Sequence, residues 1–312
     1  MTYPLHRIPT LVSAAIGALA LVTCLSTAPA HAGITEPADM KRVADEPAVI
    51  TAKWQTGNVM LRPFTCTAEN IYVSGDKTAE LWTTAGERLW QTELPFVTHF
   101  RPRTDGNVVV VGGRKGMAVL DAKTGELLWT YQVSEKEELS VPLLAAGRVI
   151  VGQDSWLKGF DERSGEEQWE FEITVPRRIA YPPIAYDDKW VIMGPGDGNL
   201  YAVDVTDGSL VWKNDIGKKE WQYLRQLYIS KDADGRDWLV AGGYKDDVYG
   251  IDLKDGSSHW RMYAGNFINS HMVVDGETYF WSPTGWIYSL NIKNGNVRWR
   301  HLTDDHRPTS GY

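Results

Sequence analysis

A Gly followed four residues later by Trp recurs six times along this chain, at Gly86–Trp90, Gly125–Trp129, Gly165–Trp169, Gly208–Trp212, Gly256–Trp260 and Gly295–Trp299. Successive tryptophans lie 39, 40, 43, 48 and 39 residues apart, about the length of one four-stranded unit. The pair also occurs out of register at Gly152–Trp156 and Gly217–Trp221. A stricter pattern fixes the register. Asp121, Asp161, Asp204 and Asp252 each stand four residues before the Gly, Asn291 does so in the last copy, and Trp82 replaces the acid in the first.

Each copy carries the signals of a small β-sheet. Leu200-Tyr201-Ala202-Val203-Asp204-Val205 alternates, Thr206-Asp207-Gly208 has hairpin-turn chemistry, and Ser209-Leu210-Val211-Trp212 begins the return strand. Two further strands, at Pro183-Ile184-Ala185 and Lys189-Trp190-Val191-Ile192-Met193, precede them. One such sheet cannot bury both its faces, whereas sheets stacked around an axis cover one another. The prediction is an all-β propeller of four-stranded blades, with six complete repeats from about Leu61 to His301 and an incomplete seventh. In it, Trp90, Trp129, Trp169, Trp212, Trp260 and Trp299 are structural and sit between blades. Each contributes on the order of 4–6 kcal/mol as an upper bound.

Strand signals also flank the six units. Ala48-Val49-Ile50-Thr51-Ala52-Lys53-Trp54 reads as a terminal strand, and His306-Arg307-Pro308-Thr309 echoes the openings Leu61-Arg62-Pro63-Phe64-Thr65 and Phe100-Arg101-Pro102-Arg103-Thr104. Two ends of this kind supply only the first and last strands of a seventh blade. Either six blades close on themselves, or the missing strands come from residues beyond Tyr312 or from a partner by β-augmentation.

The N-terminus gives an address. Arg7, an apolar run from Leu11 to Leu25 and Ala30-His31-Ala32 read as a secretory signal peptide over 1–32. A linker follows over 33–47 and the propeller over 48–312. The expected location is periplasmic or secreted, after cleavage near Ala32. No run is long enough for a transmembrane helix, and a lipid anchor through Cys24 is disfavoured because Thr23 fits a lipid box poorly. The whole chain carries a formal charge of −8, which argues against nucleic acid as a partner. Of its two cysteines, cleavage removes Cys24, so Cys66 is expected to stand as a lone thiol.

The segments Leu200–Trp212 and Val119–Trp129 resemble the pyrroloquinoline-quinone-like repeat, and the resemblance covers residues 54–301. It implies the propeller fold and leaves function open. One branch of that family comprises large quinoprotein dehydrogenases that carry the quinone and calcium, often beside a vicinal disulfide. This chain is about half their length and has no Cys-Cys pair. It is more similar to the noncatalytic branch, which includes the propeller lipoprotein of the outer-membrane β-barrel assembly machinery. The resemblance therefore implies an exported, noncatalytic scaffold with no cofactor, binding protein partners in the cell envelope. A quinone-dependent oxidoreductase is the alternative, and a glycan- or small-ligand-binding propeller is a third.

Two candidate sites follow from the residues. Side chains opening the innermost strands are expected at one mouth of the channel, where Arg62, His99, Arg101, Arg178, Tyr181, Arg225 and His271 could hold an anionic ligand or a partner. Asp232-Ala233-Asp234-Gly235-Arg236-Asp237 places acids at spacings that resemble calcium loops, with Asp232, Asp234 and Asp237 as ligands. Asx-rich hairpins give the same spacing. The acidic run Ser134–Glu138 reads as a solvated loop. Gly112-Gly113-Arg114-Lys115-Gly116 precedes a strand rather than a helix, which argues against phosphate binding by that loop.

Overall fold

Alternating apolar residues interrupted by Asp/Gly turns fold each repeat into one antiparallel sheet. The computed structural model describes residues 64–173, 179, 182–215, 224–243, 247–263, 271–274, 277–281 and 285–302. The signal peptide, the linker and both flanking strand signals lie outside these. The first sheet comprises β1 (Phe64–Cys66), β2 (Asn70–Gly75), β3 (Thr78–Thr83) and β4 (Arg88–Glu93), and the second β5 (Arg103–Thr104), β6 (Val108–Gly112), β7 (Gly116–Asp121) and β8 (Leu127–Gln132). The third holds β9 (Leu143–Ala145), β10 (Arg148–Gln153), β11 (Trp156–Asp161) and β12 (Glu167–Glu172), and the fourth β13 (Ile184–Tyr186), β14 (Trp190–Met193), β15 (Asn199–Asp204) and β16 (Leu210–Asp215). The fifth is β17 (Leu224–Lys231), β18 (Asp237–Gly243), β19 (Asp247–Asp252) and β20 (Ser258–Tyr263), and the sixth β21 (His271–Val274), β22 (Glu277–Trp281), β23 (Trp286–Asn291) and β24 (Val297–Leu302). All six sheets are ordered as simple meanders.

Successive sheets stack, and strand alternation decides which neighbour each side chain meets. In the second sheet Val109, Val111, Ala118 and Leu120 pack toward the first sheet with Tyr72, Ala79 and Leu81. Their alternates Val108, Val110, Met117 and Val119 pack toward the third with Val149, Val151 and Phe160. Equivalent clusters join sheets three to four, four to five and five to six. The first strands meet in order, β5 with β9, β9 with β13, β13 with β17 and β17 with β21. They line the inner side, which is the geometry of a β-propeller with six described blades.

The repeated tryptophan ties each blade to the next. Trp90 donates to Ala122 O, Trp129 to Glu162 O, Trp169 to Val205 O, Trp212 to Leu253 O and Trp260 to Ile292 O, at 2.7–3.3 Å. Each acceptor immediately follows the repeat Asp or Asn of the next blade. The turn Gly there lies beneath the indole, so that a Cβ on Gly208 would fall 2.8 Å from Trp169 and one on Gly256 2.3 Å from Trp212. These glycines also sit at φ +74°, a left-handed conformation that a side chain resists. Trp299 packs against Tyr279 of its own sheet.

The repeat acid forms the turn itself. Asp121 Oδ1 accepts from the amides of Lys123 and Thr124 at 3.0 and 2.9 Å, and Asp121 O accepts from Gly125 N. The Thr124 amide is the largest of the interactions holding the Asp121 carboxyl below its ordinary range. Where Trp82 replaces the acid, the turn tightens by one residue, and Gly86 N donates to Thr83 O.

Gly208→Ala and Gly106→Ala separate the two demands on glycine. Gly106 has φ +99° with nothing within 4 Å of its would-be Cβ, so its substitution should cost only the left-handed penalty of about 1–2 kcal/mol. Gly208→Ala adds overpacking against Trp169 and should cost about 2–5 kcal/mol in urea unfolding. In a Trp169→Ala background its penalty should fall to that of Gly106→Ala.

Candidate functional site

The antiparallel meander places the first-to-second and third-to-fourth hairpins of every blade on one rim, and the inter-blade connections on the other. On the hairpin rim, the fourth and fifth blades enclose a cavity of about 540 Å³ lined by Tyr186, Trp190, Arg236, Asp237, Asp252, Leu253 and Lys254. Tyr186 and Trp190 flank a three-residue turn in which Asp187 and Asp188 both have positive φ, and Lys189 N donates to Tyr186 O. This is the tight turn that suits a twisted hairpin. It brings the two rings to 5.6 Å between centroids, forming an aromatic floor.

The opposite wall is the hairpin read as a calcium loop. Asp232 is buried, and its Oδ1 accepts from the amides of Asp234 and Arg236 while its Oδ2 accepts from Trp238 Nε1 at 2.8 Å. Burial pushes this carboxyl up, but the Trp238 indole and the two amides together outweigh it and leave it below its ordinary range. Asp234 pairs with Lys293 of the sixth blade at 2.6 Å. Asp237 accepts from Lys231 at 2.7 Å and from the Tyr186 hydroxyl at 2.9 Å. The three carboxylates are thus brought into one hairpin but face three different partners. No group of three metal-ligating side chains occurs among the described residues. Arg236 pairs with Asp252 and lies 4.8 Å over the Trp238 ring. Burial, then the hydrogen bond to Asp237, pushes the Tyr186 hydroxyl up to about 12.

On the other rim, His99 and Arg101 precede β5 and are exposed. Gly112 O accepts from the amides of both His99 and Phe100, and His99 Nδ1 lies 3.1 Å from Val97 O. Arg225 and His271 occupy β17 and β21, first strands as expected, with side chains outside the described residues. Arg62, Arg178 and Tyr181 also lie outside them. Nearby, Lys115 Nζ donates to the carbonyls of Glu135 and Glu137, so the acidic loop is clamped to the blade.

Two features depart from the sequence reading or escaped it. Cys66 is disulfide-bonded, where the sequence reading expected a lone thiol. The cavity escaped because Tyr186 and Asp237 lie 51 residues apart and meet only through blade stacking.

Comparison with known proteins decides the family. Residues 77–227 and 228–311 match the PQQ_2 family model, described as outer membrane protein assembly factor BamB. This chain belongs to that family. The outer membrane protein assembly factor BamB of Burkholderia pseudomallei (strain K96243) is 28% identical over 149 residues, 47% of this chain. The match spans only 39% of that relative. The crystal structure of BamB from Moraxella catarrhalis superposes with a TM-score of 0.65 at 20% identity, covering 78% of this chain and 76% of the other. That likeness shows the fold. No helix among the described residues is long and apolar enough to cross a membrane.

Three outcomes test this site. Asp232→Ala strands the buried Trp238 indole and should cost about 1–3 kcal/mol in denaturant unfolding, whereas Asp234→Ala breaks an exposed pair and should cost less than about 1 kcal/mol. Added calcium should leave the melting midpoint unchanged, because each carboxylate already has a partner. In ultraviolet titration, Tyr186→Phe should remove a tyrosinate transition near pH 12. Because the folded value lies above that of the unfolded chain, the stability supplied by neutral Tyr186 is complete below about pH 10 and is lost as pH rises toward 12.

Proposed function

We propose that this chain acts outside the cytoplasm as a noncatalytic propeller scaffold that holds protein partners during outer-membrane protein assembly. The observation that carries the reading is the family match over residues 77–311, to a family described as an outer-membrane assembly factor. The secretory leader at residues 1–32 agrees with export.

The cavity geometry supports binding over chemistry. Asp237 is engaged by Lys231 and Tyr186, and Asp252 by Arg236 and the Lys254 amide. Carboxylates so occupied are poorly placed to serve as a general base. An aromatic floor with a charged rim suits instead the anchoring of a partner side chain, which a rigid ring presents with little ordering cost.

Chemical cross-linking in the exporting cell, followed by purification and mass spectrometry of everything bound, tests the reading. Subunits of the outer-membrane assembly apparatus should be recovered. A chain that returns bare of protein, with stoichiometric quinone and calcium, would move it to the oxidoreductases.

A further inference from the structure

The inter-blade rim carries a feature that the scaffold reading does not use. From His99 to Arg103 the chain alternates strictly, with His99, Arg101 and Arg103 exposed, Phe100 partly buried and Pro102 buried. The three cationic or titratable side chains therefore share one side of an extended segment, with neighbours about 6–7 Å apart. The segment feeds β5, whose contact with β9 places it on the inner side of the ring.

Its backbone is pinned at nearly every residue. Gly112 O accepts from His99 N at 2.9 Å and Phe100 N at 3.0 Å. Ser74 Oγ donates to Phe100 O at 3.2 Å, and Thr65 Oγ1 donates to Pro102 O at 2.5 Å. Gly113 lets Val97 and His99 close in, since a Cβ there would lie 2.0 Å from Val97 O and 3.1 Å from His99 Nδ1. A hydrogen bond from His99 Nδ1 to Val97 O leaves Nε2 as the free ring nitrogen.

Among the described residues the two guanidinium groups make no ion pair, while their backbone is fixed. Arg114 on the same rim pairs with Glu138 at 3.8 Å, and Lys115 is held by two carbonyls. Among the described residues no carboxylate lies within ion-pair distance of Arg101 or Arg103. Arg103 is exposed, yet it is crowded enough by protein that desolvation is the main cause depressing its protonation, followed by the charge of Arg101. Among the described residues no acid acts against either effect. Accessible to water but enclosed is the condition of a group in a solvent-filled channel. Two like charges held together without a counter-charge raise the local potential and favour an anion that neutralises both.

We propose that Arg101 and Arg103, with His99 beside them, form a binding site for a phosphoryl dianion. A phosphate monoester or diphosphate carries enough charge and acceptor oxygens to engage both guanidinium forks at once, whereas a single carboxylate neutralises one. The site goes beyond the assembly reading and does not rest on it.

Calorimetric titration of the purified chain with inorganic phosphate and diphosphate tests the site without any partner protein. Diphosphate should bind, and Arg101→Gln and Arg103→Gln should each weaken it about 10–100-fold. Lys123→Gln, on the opposite rim, should not. Arg103→Lys keeps the charge but loses the fork, and should weaken binding several-fold while leaving the circular dichroism unchanged. Vesicles of phosphatidylcholine with and without phosphatidic acid separate the sources. Retention that needs phosphatidic acid and is lost in the arginine variants assigns a lipid headgroup, and diphosphate binding without retention assigns a soluble phosphate. Absence of diphosphate binding, or equal binding by the Arg101→Gln/Arg103→Gln double variant, overturns the proposal.

Discussion

Everything in this fold hangs on an indole of one blade resting on the turn glycine of the next. The contact meets three physical demands together. It buries a large apolar ring, it gives the ring N–H an acceptor, and it closes on a backbone bend that only glycine adopts without strain. Trp169, Trp212 and Trp260 are accordingly 7%, 7% and 9% exposed, although they come from the outermost strands, where a side chain would otherwise face water. The repeat Asp fixes the same turn from inside through its amides. Blade order is therefore written twice, once in the core clusters between sheets and once in this outer latch.

The latch leaves the inner strands and the first-to-second hairpin tips free to vary. With β9, β13 and β17 held by neighbours on both sides and β5 held by β9 and by Thr65 at Pro102 O, their entry segments can carry charge without endangering the fold. That is where His99, Arg101 and Arg103 sit. On the other rim, the first-to-second hairpin tips need only satisfy turn geometry. The fourth and fifth blades spend their tips on Tyr186, Trp190 and Asp237, which build a cavity rather than merely close a loop. Stability and recognition thus draw on different residues of the same repeat, as in other repeat architectures.

The repeat was legible in the sequence because each of its residues acts both locally and between blades. Gly, Asp and Trp at fixed offsets encode the bulged hairpin and the neighbour contact alike, so spacing alone predicts six sheets. Asp232, Asp234 and Asp237 were less transparent. Acids at alternate positions are what a calcium loop and an Asx turn have in common, so spacing alone leaves the two readings open; in the fold Asp232 meets two amides and an indole, Asp234 meets Lys293, and Asp237 meets Lys231 and Tyr186. The inter-blade cavity left no trace in spacing at all. Asp252 in its wall is the shared repeat acid, but Tyr186, Trp190, Arg236 and Asp237 belong to no repeated pattern, and periodicity reports only what repeats share.

A site built from the shared positions of a propeller would occur six times and face six ways, whereas a scaffold needs to address one partner in one orientation. Specificity must come from departures between the copies. The departures here are concrete. Trp82 stands where the other blades have Asp or Asn and shortens the first hairpin, the 232–236 hairpin adds a buried acid that anchors Trp238, and the approach to β5 holds two arginines with no carboxylate in ion-pair distance among the described residues. None is required by the latch. The first two are satisfied by their own partners, Thr83 for the short turn and the Trp238 indole for the buried acid, whereas the arginine pair carries mutual repulsion, and such a cost persists in repeat folds where a ligand or partner supplies the compensating interaction.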